Sequence, residues 1–144
     1  DPSILVSSMR GVLSISGQVT FYFPLATASQ SYWLVIKHRS CIETWSAAPV
    51  TLSANGSYDF SQTATSSFGS NLASLGGGYF GLFSGDMNQD GFIDSFDFYL
   101  YNKDNLSFMF GYYETDLNGD GYVDAFDFSI FNSNNLNFVM AATP

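Results

Sequence analysis

The chain has 144 residues, room for one or two small domains, and 4 Lys and Arg against 13 Asp and Glu give it a formal net charge of −9. That balance excludes a nucleic-acid or anionic-membrane binder, which needs a basic face to displace counterions. No run of about 18 apolar residues is present to span a bilayer, and the lone Cys41 excludes an intrachain disulfide framework.

Only 12% of residues are charged while 18% are aromatic, so surface polarity must come from Ser, Thr, Asn and Gly. Some rings are then expected at the surface or at a subunit contact, a texture that suits an extracellular or assembled protein. The chain opens at Asp1 without Met or a signal-like apolar stretch, as expected of a processed or truncated product.

The N-terminal half is rich in short β-type runs separated by Ser, Gly, Ala and Pro. Strands are expected at Ile4–Ser8, Val12–Ser16, Val19–Pro24, Tyr32–His38, Ile42–Trp45, Val50–Leu52 and Tyr58–Phe60. Val19, Phe21 and Phe23 alternate with Thr20 and Tyr22, the half-buried strand pattern. Ser16-Gly17 suits a tight hairpin. Tyr32–Ile36 is continuously apolar and reads as a central strand covered on both faces. Short strands at this spacing predict a β-sandwich over residues 1–80.

Lys37 and Arg39 share one face of a strand, with His38 on the other, and Glu43 is placed to pair with either cation. A single His with no nearby Ser or Asp pattern makes no triad, and no pair of carboxylates outside the acidic windows described below stands out as a glycosidase pair. No enzyme is expected. Cys41 reads as a buried, inert thiol, and Trp33 and Trp45 read as core before they read as a sugar site. Residues 61–77, rich in Ser and Gly, form a connector with one helical turn near Asn71–Leu75, and Gly78–Ser84 reads as a strand. Asn55-Gly-Ser57 and Asn105-Leu-Ser107 fit the glycan-acceptor pattern.

Eight of the thirteen acidic residues lie in two windows, Asp86–Asp97 and Asp116–Asp127, offset by 30 residues. The register continues beyond them: Phe98 matches Phe128, Asn102 matches Asn132, and Phe108 matches Phe138. This is a duplicated unit. The spacing within each window is that of a calcium loop, which supplies oxygens from positions 1, 3, 5, 7, 9 and 12. In the first loop these are Asp86, Asn88, Asp90, the Phe92 carbonyl, Asp94 through water, and Asp97. In the second they are Asp116, Asn118, Asp120, the Tyr122 carbonyl, Asp124 and Asp127.

Gly91 and Gly121 stand at position 6, where the chain turns sharply. Ile93 and Val123, at position 8, are placed to pair the two loops through a short β-like contact. Asp rather than Glu at position 12 requires a tighter loop or a ligand binding through one oxygen. Four carboxylates in twelve residues repel one another without a cation, so two calcium ions are expected.

A short helix should follow each loop, with Asp94 as N-cap, Asp97 at N3 and an end near Asn102. Asp124 and Asp127 repeat this for a helix ending near Asn132. The rings at Phe96, Phe98, Phe126 and Phe128 read as core between the repeats.

The pattern D-x-N-x-D-G-x-[IV]-D-x-x-D, given twice with only a following helix, resembles dockerin-type repeats over residues 81–144. It is less like paired EF-hands, because no amphipathic helix precedes Asp86. In cellulosomal dockerins positions 10 and 11 help recognise a cohesin partner; here they are Ser95-Phe96 and Ala125-Phe126, with a ring where a small hydroxylated residue is usual.

The order of elements also resembles a module at the C-termini of large secreted and surface proteins of Bacteroidota. The likeness runs through Tyr32–Arg39, Ile42–Ser46, Pro49-Val50, Tyr79–Ser84 and both loops, roughly three quarters of the chain. It implies an immunoglobulin-like sandwich, a cell-surface or extracellular location and structural calcium. Such modules carry further strands upstream, where this chain has only Asp1–Arg10. A strand-incomplete sandwich leaves an open edge that a neighbouring copy can fill, and head-to-tail filling generates a filament. Ile4–Val6 and Phe138–Met140 are the two candidate donors. The expectation is therefore a non-enzymatic, calcium-stabilised subunit of a cell-surface filament. The alternatives are a docking module with a surface protein partner and a carbohydrate-binding module.

Overall fold

The computed structural model describes residues 1–23 and 29–144. It is a mixed α/β structure in which short antiparallel strand pairs precede two helices, with no closed barrel among the described residues. The strands are β1 (Ser31–Tyr32), β2 (Val35–His38), β3 (Cys41–Trp45), β4 (Val50–Thr51), β5 (Ala73–Gly76) and β6 (Tyr79–Gly81), and the helices are α1 (Ser95–Leu106) and α2 (Ala125–Leu136). Strand β1 pairs with β4, β2 with β3, and β5 with β6.

The expected run Tyr32–His38 is split, because its two ends have different partners. Tyr32 lies opposite Val50, while Val35 lies opposite Trp45. At the break, the Leu34 carbonyl accepts from Ser46 N–H at 2.8 Å and Leu34 N–H donates to Ser46 Oγ at 3.1 Å. Strand β2 alternates exposed and half-buried residues and is not covered on both faces. Strand β3 is the central one. Besides β2 it meets Ser84 through Cys41, Phe83 through Ile42, and Ala142 through Thr44, and Ile42 and Thr44 are fully buried.

No strand forms at Ile4–Ser8, Val12–Ser16 or Val19–Phe23, which find no ladder within the described chain; Pro24 lies outside the described residues. The tight turn at Ser16-Gly17 does form, with Ser14 N–H donating to the Gln18 carbonyl at 2.8 Å and Gly17 at φ 73°. Tyr58–Phe60 is not a strand either: the two rings stack edge-on at 4.7 Å and Tyr58 Oη donates to the Ser66 carbonyl at 2.6 Å. The connector holds two 3₁₀ turns, Ala64–Ser66 and Phe68–Ser70. The helical turn expected near Asn71–Leu75 is strand β5 instead, because Ala73 and Ser74 pair with Gly81 and Phe80.

Both helices run four residues past the expected ends, to Leu106 and Leu136. The core gathers Ile42 from β3 with Met87, Ile93, Tyr101, Val123 and Phe131 from the repeats. Burying each such side chain contributes roughly 1.5–3 kcal/mol, so the repeats and the β-half share one core. Phe98 and Phe128, expected in that core, contact each other with ring centroids 6.0 Å apart, and Phe131 stacks on Phe98 at 6.1 Å, but at 40% and 37% exposed they cap the core and are not buried in it. Phe96 and Phe126, expected in the same core, are 68% and 70% exposed. Position 11 of each loop is therefore a surface position.

Candidate metal centres

Each acidic window folds as a tight loop ending in a capped helix. Gly91 and Gly121 take φ 89° and 85°, the left-handed turn a Cβ would strain. Asp86 Oδ1 accepts from Asp90 N–H at 3.1 Å and Oδ2 from Gly91 N–H at 3.2 Å. Asn88 Oδ1 accepts from Asp90 N–H at 3.0 Å, and Asp90 Oδ1 from Phe92 N–H at 3.0 Å. Asp94 caps α1 by accepting from Phe96 N–H at 2.8 Å.

Asp97, at N3, does more than complete the capping box. Its carboxylate accepts from Met87 N–H at 2.7 Å, Asn88 N–H at 3.1 Å and Asp94 N–H at 2.9 Å. It therefore ties the start of the loop to the start of the helix.

The second loop repeats the arrangement. Asp127 accepts from Leu117, Asn118 and Asp124 N–H at 2.7, 3.1 and 2.9 Å. Asp116 accepts from Gly119 and Gly121, Asn118 from Asp120, and Asp120 from Tyr122. Asp124 accepts from Phe126 N–H at 2.8 Å. In both loops positions 1 and 12 are buried, whereas Asn88, Asp90, Asn118 and Asp120 are exposed at the rim.

Burial pushes the Asp86 carboxyl up to about 6, with the charges of Asp97 and Asp90 adding to the rise and the Gly91 and Asp90 N–H groups opposing it. Burial likewise raises Asp97, against the pull of its three backbone donors. Burial outweighs the mutual repulsion of the carboxylates in both shifts. The donors are carboxylate, amide and carbonyl oxygens, a set that suits a hard divalent ion. Among the described residues, no three or more His, Cys, Asp or Glu side chains converge as a ready metal shell. The donor chemistry fits calcium, and the neighbouring N–H groups hold the buried carboxylates in place.

The two loops do not pair with each other through Ile93 and Val123. Ile93 N–H instead donates to the Val139 carbonyl at 3.1 Å, Ala141 N–H donates to the Gly91 carbonyl at 2.7 Å, and Phe92 bridges Met140. In the second loop Val123 N–H donates to the Met109 carbonyl at 3.2 Å, Gly111 N–H donates to the Gly121 carbonyl at 2.8 Å, and Tyr122 bridges Phe110. Each loop thus pairs with the segment leaving the other repeat's helix. The 30-residue duplication becomes a reciprocal exchange, which buries Ile93 and Val123 in the shared core.

Several residues that hold the loops in place carry no motif. Arg39 Nε donates to the Tyr113 carbonyl at 2.8 Å and its Nη2 to the Asp116 carbonyl at 3.2 Å. The guanidinium lies 4.0 Å over the Tyr112 ring and 3.8 Å from the Asp116 carboxylate. Arg39 thereby binds the β2–β3 turn to the second loop, and Glu43 pairs with Lys37 and not with Arg39. Gln89 plays the corresponding part in the first loop, donating to the Asp86 and Cys41 carbonyls. Asp104 accepts from Thr115 Oγ1 at 2.8 Å, and its repeat equivalent Asn134 donates to the Ser84 carbonyl at 2.7 Å.

Cys41 is buried with His38 Nδ1 3.2 Å from its sulfur, and burial raises its thiol, so it stays protonated at neutral pH. Trp33 packs edge-on to Trp45 at 6.2 Å and to Phe68 at 5.7 Å. No helix is long and apolar enough to cross a membrane among the described residues. Comparison with family models, with curated proteins and with solved structures finds no match to this chain.

Proposed function

We propose that the chain is a non-enzymatic, extracellular structural protein stabilised by two calcium ions. Its fold is read as a strand-incomplete immunoglobulin-like sandwich followed by dockerin-like repeats, and its role as a subunit of a cell-surface filament built by strand exchange. One observation carries the calcium reading. Two twelve-residue loops reproduce the same placement of Asp and Asn oxygens, with two buried carboxylates at each base and a left-handed glycine at position 6. In the first loop Asp86, Asn88, Asp90, the Phe92 carbonyl, Asp94 and Asp97 would hold the ion. In the second, Asp116, Asn118, Asp120, the Tyr122 carbonyl, Asp124 and Asp127 would do so. The ion supplies positive charge to a cluster that otherwise repels itself, and it fixes the helix start against β3.

The filament reading is supported by incomplete two-stranded ladders and by a large complement of exposed apolar side chains. The docking-module reading keeps support from Phe96 and Phe126, exposed at equivalent positions of the two loops. The edge-on packing of Trp33 and Trp45 takes support away from the carbohydrate reading. Of the two glycan-acceptor sites, Asn55 stands in an exposed turn and is the better candidate, since Asn105 is half-buried within α1.

The test is thermal melting of the Asp86→Ala/Asp116→Ala variant in millimolar calcium. Loss of most calcium-dependent stability is expected. A melting temperature equal to that of the unaltered chain overturns the reading.

A further inference from the structure

The two candidate donors differ in what the chain already does with them. Phe138–Ala142 is committed: Val139, Met140 and Ala141 pair with the first loop, Ala142 lies beside Thr44, and Asn71 Nδ2 donates to the Met140 carbonyl at 3.0 Å. Pulling this segment out would open the shared core at Ile93.

The N-terminal segment is the opposite case. Between Ile4 and Tyr22, ten large apolar side chains are exposed, among them Leu5 at 80%, Val12 at 91% and Ile15 at 112%. It is shaped as a hairpin, turning at Ser14–Gln18, with Val19 and Phe21 packed so closely on Gly11 that a Cβ there would meet them at 2.8 Å. Beyond that turn and an Ile4–Asp1 contact, no backbone hydrogen bond holds it among the described residues.

We infer that residues 4–23 are the donor arm and that a second copy of this chain is its acceptor, through an unpaired strand edge. This rests on the filament reading above. Among the described residues the arm joins no ladder, and no ladder has a third strand. Each described sheet has two strands, a size that is marginal in water, and the outer edge of β2, at Val35 and Lys37, has no partner among the described residues. Alternating Val19, Phe21 and Phe23 give the arm the side-chain period an added strand needs. Charge agrees. The arm carries one charge, Arg10, so it meets an acidic second copy without adding to the repulsion that opposes face-to-face association of two chains of net charge −9.

The experiment compares the full chain with its Leu5→Pro/Leu13→Pro/Thr20→Pro variant, all at exposed positions outside any ladder, where proline deletes donors an added strand requires. Electron microscopy and sedimentation read assembly, thermal melting reads the fold, and amide exchange locates the protected segment. The expected result is filaments of the full chain with amides of residues 4–23 protected, and a dispersed variant melting within about 2 °C of the unassembled full chain. Filaments of the variant overturn the arm assignment and leave the filament reading standing. Protection gained on assembly at 138–140 instead of in the arm does the same. A full chain that never assembles, with its arm unprotected or folded on its own sheet, overturns both.

Discussion

Asp97 and Asp127 show how one residue type serves two roles within a loop. Each is fully buried and accepts from three backbone N–H groups, so each organises its loop whether or not an ion is bound. Asp90 is exposed at the rim, and its loss leaves few buried groups unpaired. In chelator, Asp97→Ala is expected to cost about 2–4 kcal/mol of unfolding free energy, and Asp90→Ala less than about 1 kcal/mol. In calcium both should lose the first ion, leaving one bound per chain by titration calorimetry. Equal losses in chelator would contradict this division of roles. The Asp and Asn positions were legible because their spacing is local. The Arg39 contacts were not, since its acceptors lie 74 and 77 positions along the chain, and nothing near Lys37-His38-Arg39 marks them. Charge alone left Glu43 open to Lys37 or Arg39, and Lys37 takes it.

Among the elements, the helix starts were readable and the helix ends were not. Asp94 and Asp97 announce a capping box in four residues, and both boxes form. The far ends carry no glycine. The left-handed residue after each cap is a phenylalanine, Phe108 at φ 50° and Phe138 at φ 53°. Their rings are 88% and 82% exposed, so little packing offsets the backbone strain. Phe108→Gly is expected to raise stability by about 0.5–1 kcal/mol, read from denaturant unfolding; a decrease would mean the ring packs in solution. Strand prediction succeeded where β-branched and aromatic residues also find a partner, as for β3 and β4. It failed at Ile4–Phe23, whose pattern suits a strand but which meets no ladder among the described residues, and at β5, where Ser and Gly masked a strand selected by its neighbour β6.

For the molecule as a whole, the duplication carries more structure than two separate loops would. Each loop pairs with the segment leaving the other helix, and Tyr101 Oη donates across the repeats to the Asp124 carbonyl at 2.9 Å. Ile42 extends this core into the β-half. An ion bound at either loop should therefore stabilise both repeats and β3 together, as one cooperative unit. The 30-residue period was plain in the sequence, but the exchange was not, because a local pattern does not say which copy a segment pairs with. Calcium binding is tested most directly by calcium titration of the chelator-treated chain, followed by calorimetry and by thermal melting. Two ions per chain are expected, and at calcium a hundredfold above the dissociation constant each contributes about 2.7 kcal/mol, a combined rise in melting temperature of about 10 °C or more. Absence of binding heat, with a melting temperature indifferent to calcium, would contradict it.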